Sequence, residues 1–193
     1  VKLFSAIQEV SETPWIPAKA GIQKFYPNFL RSYLRERERE RAKMNADDHK
    51  LLLKVFSTIF EDFAFMFAEK GSDFETGISG EFLRACIKFT SSSKKGYLEV
   101  IAPVDFCDET AENILGTDIE ELPEGAGENA LKELVNICCG YFLAEKFGTE
   151  EIFDLSIPET SSVDEKDWGN IINKQGHTPF LVDESPILVR FEQ

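Results

Sequence analysis

Asn129-Ala-Leu-Lys-Glu-Leu-Val-Asn-Ile-Cys-Cys-Gly-Tyr-Phe142 reads as one helix with two unlike faces. At roughly 100° per residue, Leu131, Leu134, Val135, Cys138 and Phe142 fall on one side and form the apolar stripe of a core-facing element. Asn129, Glu133, Asn136 and Gly140 fall on the other. An exposed helical face ordinarily carries Lys, Arg and Glu that are freely interchangeable. This one carries an amide, an acid one turn away and a residue with no side chain, so it is cleared for another macromolecule to approach.

The flanking sequence supplies something for the apolar stripe to pack on. Leu52, Val55, Phe56, Ile59, Phe60, Phe63 and Phe67 recur at helical spacing and predict a long helix over 49–69, stopped at Gly71. Residues 82–90 and 96–103 are rich in β-formers and flank the polar run Ser91–Lys95, which predicts an antiparallel hairpin. A short helix over 108–115 follows, with Asp105 or Asp108 as candidate N-cap and Gly116 as its stop, then an acidic connector to Gly127. Beyond the amphipathic helix the pattern predicts a strand near 152–157, a hydrophilic loop over 159–169 and a terminal hairpin of 178–182 with 186–191. The sum is an α+β domain, a mainly antiparallel sheet packed against two long helices and a short one.

Composition narrows the function. The formal net charge is −14, and residues 1–43 hold nine basic against five acidic residues, which leaves −18 for residues 44–193. A domain so acidic repels phosphate backbones, which excludes nucleic acid as a partner. Cys86, Cys107, Cys138 and Cys139 form no Cys-x-x-Cys and have two histidines for company, so no metal site is expected. Reduced, buried thiols are the expectation. His49 and His177 lie far from the amphipathic helix in sequence and read as surface residues. No apolar run is long enough to span a bilayer and no signal core opens the chain, so the expectation is a soluble cytoplasmic protein with no membrane partner. Residues 1–43, loop-like and then alternating Arg with Glu, read as an N-terminal extension that is non-native or disordered. The domain is then 44–193, with Met44 as the expected native start.

Glu133-Leu-Val-Asn136, the following Gly140, and Pro158 after Phe153-Asp-Leu-Ser-Ile157 resemble the signature of the CheC, CheX and FliY phosphatases of bacterial chemotaxis. The likeness is greatest to CheX and runs from about Met44 to the end. The family has Asp or Ser where Asn129 stands, and CheC-like members often carry a second Glu-x-x-Asn on the first helix, where this chain has Glu61-Asp-Phe-Ala64. One active face per chain is therefore expected. The resemblance implies a phosphatase for the aspartyl phosphate of a CheY-like response regulator, with Mg2+ held by the regulator and no cofactor in this chain. It implies that Asn136 orients the attacking water, that Glu133 meets the regulator's active-site lysine, that Asn129 and Gly140 face the partner and that Pro158 is architectural. It also implies a homodimer formed through sheet edges. The residues alone leave open a non-catalytic adaptor that binds a regulator, a flagellar protein or a receptor-modifying protein.

Overall fold

In the computed structural model, which describes residues 46–71, 80–172 and 176–193, the hairpin of β2 (Phe82–Thr90) and β3 (Lys95–Pro103) is the centre of the sheet. Its turn is closed by Ser91, whose N–H donates to the Lys94 carbonyl at 2.7 Å while its hydroxyl accepts from the Lys94 N–H at 3.1 Å. β7 (Ser185–Glu192) pairs with β3, β6 (Thr178–Val182) with β7, and β1 (Ala68–Lys70) with β6. On the other side, β4 (Asp154–Leu155) and β5 (Glu159–Val163) both pair with β2, one at each end. All pairings are antiparallel, so the order is β1–β6–β7–β3–β2 with β4 and β5 sharing the outer edge. The N-terminal extension 1–43 lies outside the described residues.

Strand alternation decides what each face of the sheet buries. Ala85, Ile87 and Phe89 of β2, and Leu98, Val100 and Ala102 of β3, point to one face. There they meet α1 (Ala46–Ile59), α2 (Val104–Leu115) and α3 (Ala126–Phe147). Phe82, Ile101 and Leu188 point to the other face, where α4 (Glu165–Ile172) lays Trp168 and Ile171 over them. The Phe82 and Trp168 rings stack at 4.2 Å.

Three expectations are corrected. The first helix does not run to Glu69: α1 gives way to a π-helical turn at Phe60–Ala64, Phe65 takes a left-handed conformation, and the chain re-enters as β1. The cause is tertiary, since the Phe67 N–H donates to the Asp183 carboxylate at 3.1 Å and Ala68–Lys70 pairs with β6. Residues 159–172 form β5 and α4 rather than a loop, with Asp164 capping α4 through a 2.7 Å bond from the Asp167 N–H. The short helix begins at Val104 behind Pro103, so Asp105 sits in its first turn and neither Asp105 nor Asp108 caps it.

Candidate functional site

The polar face is built on α3, which starts after Gly125 in a left-handed conformation and ends at Gly148. Gly127 lets its first turn press against α2, because a Cβ there would meet the Asp108 backbone nitrogen at 2.9 Å and its carboxylate closer still. Leu131, Leu134, Val135, Cys138 and Phe142 are all buried, as is Cys139. On the opposite side Asn129 and Glu133 are exposed, and Asn136 and Gly140 are half-buried. Glu133 and Asn136 are about 60° apart around the axis and ~4.5 Å along it, one turn of a common face. Among the described residues neither side chain is hydrogen-bonded or ion-paired. Among the described residues a Cβ at Gly140 would meet nothing within 4 Å, so the glycine satisfies no packing need there.

The outer edge of the sheet runs alongside this face. Leu155 borders a groove with Gly140 and Ala144, and five residues later the Thr160 hydroxyl donates to the Glu128 carboxylate. Gly140 to Glu128 spans ~18 Å of helix at 1.5 Å per residue. Leu155 and Thr160 pair with Phe89 and Ala85, four residues apart on β2, and so lie ~13 Å apart along the sheet at 3.3 Å per residue. The two segments therefore run antiparallel, and residues 156–158, the link between β4 and β5, pass alongside the part of α3 between Glu128 and Gly140. The groove, about 290 Å³, has Leu143 and Phe153 in its lining and Glu151 at one end, paired with Lys94. Sequence reasoning missed Leu155 as a lining residue of this face, although it lies within the strand expected near 152–157.

Charge around the site is locally neutralised at its N-terminal end. The hydrogen bonds from Lys132 and Thr160 hold the Glu128 carboxyl below the usual range. The four cysteines are free thiols, and burial pushes Cys107 and Cys139 up to about 12 and Cys138 upward as well. Among the described residues no cluster of His, Cys, Asp and Glu is arranged to hold a metal ion. The histidines are not brought to the α3 face, and the surface placement of His177 is corrected: its ring is 6% exposed and pairs with Glu99 at 3.0 Å. His49 Nδ1 lies 2.6 Å from the Thr178 hydroxyl.

An antiparallel sheet with helices laid over it is the fold this chain shares with solved CheX and CheC-like chemotaxis proteins. The chain belongs to the CheX family: the profile described as chemotaxis phosphatase CheX matches residues 83–180, just over half of its length. Solved structures share the fold. CheX from Vibrio vulnificus superposes with a TM-score of 0.57 at 14% identity, over 78% of this chain and 98% of its own. A CheC-like superfamily protein from Shewanella sp. PV-4 gives 0.54 at 18% identity, over 78% and 100%. CheX from Desulfovibrio desulfuricans gives 0.54 at 14%, over 75% and 97%. No curated protein matches the chain.

Proposed function

We propose that this chain accelerates hydrolysis of the aspartyl phosphate of a CheY-like response regulator. The observation that carries the reading is the pair Glu133 and Asn136, presented outward on a rigid helix beside a glycine that the fold itself does not use. In the reaction a water oxygen attacks phosphorus in line, the P–O bond to the regulator's aspartate breaks, and the carboxylate leaves with the bonding electrons. The regulator's own carboxylates hold Mg2+, which neutralises the charge that shifts between oxygens. What remains is to position the water, a task for geometry more than for acid–base chemistry.

The Asn136 amide fits that task. Its carbonyl accepts a hydrogen bond from the water while its NH2 donates to a phosphoryl oxygen, and neither end titrates. Glu133, one turn earlier, pairs with the regulator's lysine and fixes the approach. Asn129 extends the polar face and Pro158 holds the edge strand against it. The same reading includes a cytoplasmic setting, where such regulators act, and a homodimer through a sheet edge. Among the described residues no helix is long and apolar enough to cross a membrane. Sedimentation velocity checks the dimer, and a monomer at working concentration removes it.

The test is phosphate release from a panel of magnesium-bound, phosphorylated response regulators, with wild type beside Asn136→Ala. Loss of about 100-fold in turnover, with complex formation and thermal unfolding unchanged, is the expected result. Binding by wild type without any acceleration assigns the chain to the adaptor role instead.

A further inference from the structure

The docking surface extends beyond the acid–amide pair to the edge strand beside it. Leu155, paired with Phe89 of β2, and Thr160, paired with Ala85, both face the α3 side of the sheet, and Ile157 lies in the non-strand link between them. Phe153 packs against Phe89 and Phe147, Leu155 is 36% exposed at the groove, and Ile157, between the two points where the edge meets α3, is 86% exposed. The backbone that presents Ile157 is pinned on both sides. The Ser156 N–H donates to the Lys88 carbonyl at 2.8 Å and its hydroxyl accepts from the Lys88 N–H at 3.0 Å. Pro158 fixes its own φ on the other side. An apolar side chain held out on a rigid backbone loses little freedom when a partner covers it, which is the property of a good anchor.

Charge adds a second argument. With −18 on residues 44–193, the domain repels a receiver whose reactive site is itself a cluster of carboxylates and phosphate. A single exposed ion pair at Glu133 contributes little against that repulsion. Attraction at short range has to come from apolar surface removed from water. Leu155 and Ile157 of this edge, with Tyr141 of α3, are exposed apolar residues near the pair, and Gly140 and Ala144 leave space between edge and helix.

We propose that Ile157, with the groove between Gly140 and Leu155, is the apolar anchor on which the phosphorylated receiver domain seats while Glu133 and Asn136 enter its active site. The proposal rests on the phosphatase reading above and makes Ile157 a determinant of affinity and partner choice. It does not act on the reacting atoms.

The experiment uses the full chain and the same regulator panel. It measures Kd for beryllofluoride-loaded regulator, and KM and kcat for phosphate release, in Ile157→Ser, Ile152→Ser and Asn136→Ala. Ile152 is equally exposed, at 83%, but precedes β4 and lies outside the link between β4 and β5. Ile157→Ser is expected to raise Kd and KM about tenfold with kcat and thermal unfolding unchanged, and Ile152→Ser to stay within about twofold of wild type. An Ile157→Ser protein that binds as wild type does, while Asn136→Ala has lost turnover, overturns the anchor and leaves the phosphatase reading standing. A wild type that neither binds nor accelerates any regulator overturns both.

Discussion

Gly140 sits in the interior of a helix, where glycine is less favourable than alanine by about 1 kcal/mol. Nothing inside the molecule requires it, since its φ is not left-handed and a Cβ would project into open space. Gly140→Ala is therefore expected to stabilise the fold by roughly 0.5–1 kcal/mol, read as a higher urea midpoint at unchanged slope. A destabilised variant would mean that the glycine serves internal packing after all. The outward set Asn129, Glu133, Asn136 and Gly140 was legible in the sequence, because helical periodicity is local and five apolar residues fix the rotation of α3. The course of the Ile157 link along α3 was not, because it depends on β4 and β5 both pairing with β2, some 70 residues upstream for Leu155 and Phe89.

At the scale of elements, the least expected piece is the end of α1. Apolar spacing continues smoothly through Phe63 and Phe67, so sequence alone predicts more helix, yet pairing with β6 pulls the chain into β1. The transition passes through Phe65, a bulky residue at φ 57 that is 74% exposed. A left-handed conformation costs a residue with a Cβ about 1–2 kcal/mol, and asparagine tolerates it better. Phe65→Asn is thus expected to raise stability by about 0.5–1 kcal/mol in chemical denaturation, whereas a loss would show that the ring is used. β5 and α4 were read as loop for a different reason. Glu159-Thr-Ser-Ser-Val163 is a polar edge strand, and α4 buries only Trp168 and Ile171, too few residues to register as a stripe. On the same sheet face, Glu99 links β3 to Arg84 of β2 and to His177 ahead of β6. Burial raises its carboxyl, but the His177 hydrogen bond and the Arg84 and Arg190 charges outweigh it and hold it below the ordinary 4.5. A depressed carboxylate contributes stability that is present above pH 4.5 and lost as pH falls through the lower folded value. The stability gap between wild type and Glu99→Gln should accordingly narrow below that pH in acid unfolding. A gap independent of pH would remove the linkage.

For the molecule as a whole, fold class followed from the sequence because the hairpin, α3 and the terminal hairpin each announce themselves locally. Their assembly into two cores, one on each face of the sheet, required the structure. Net charge belongs to this scale too, and it bears on kinetics more than on fold. On the phosphatase reading proposed above, an acidic domain and an acidic regulator would repel each other at separations of about a Debye length, ~8 Å at physiological salt. Added salt screens that repulsion while leaving short-range apolar contact intact. On that reading, association with the regulator is expected to speed up as ionic strength rises from about 0.01 to 0.15 M, as the Debye length shrinks from ~30 to ~8 Å. That is the reverse of electrostatically steered pairs, whose association slows with salt. Dissociation, governed by the contacts once made, should change far less. Stopped-flow association at several salt concentrations measures both rates. An association rate that falls with salt would instead reveal a locally complementary patch strong enough to override the net charge, and the ion pair at Glu133, rather than the apolar edge at Ile157, would then dominate encounter.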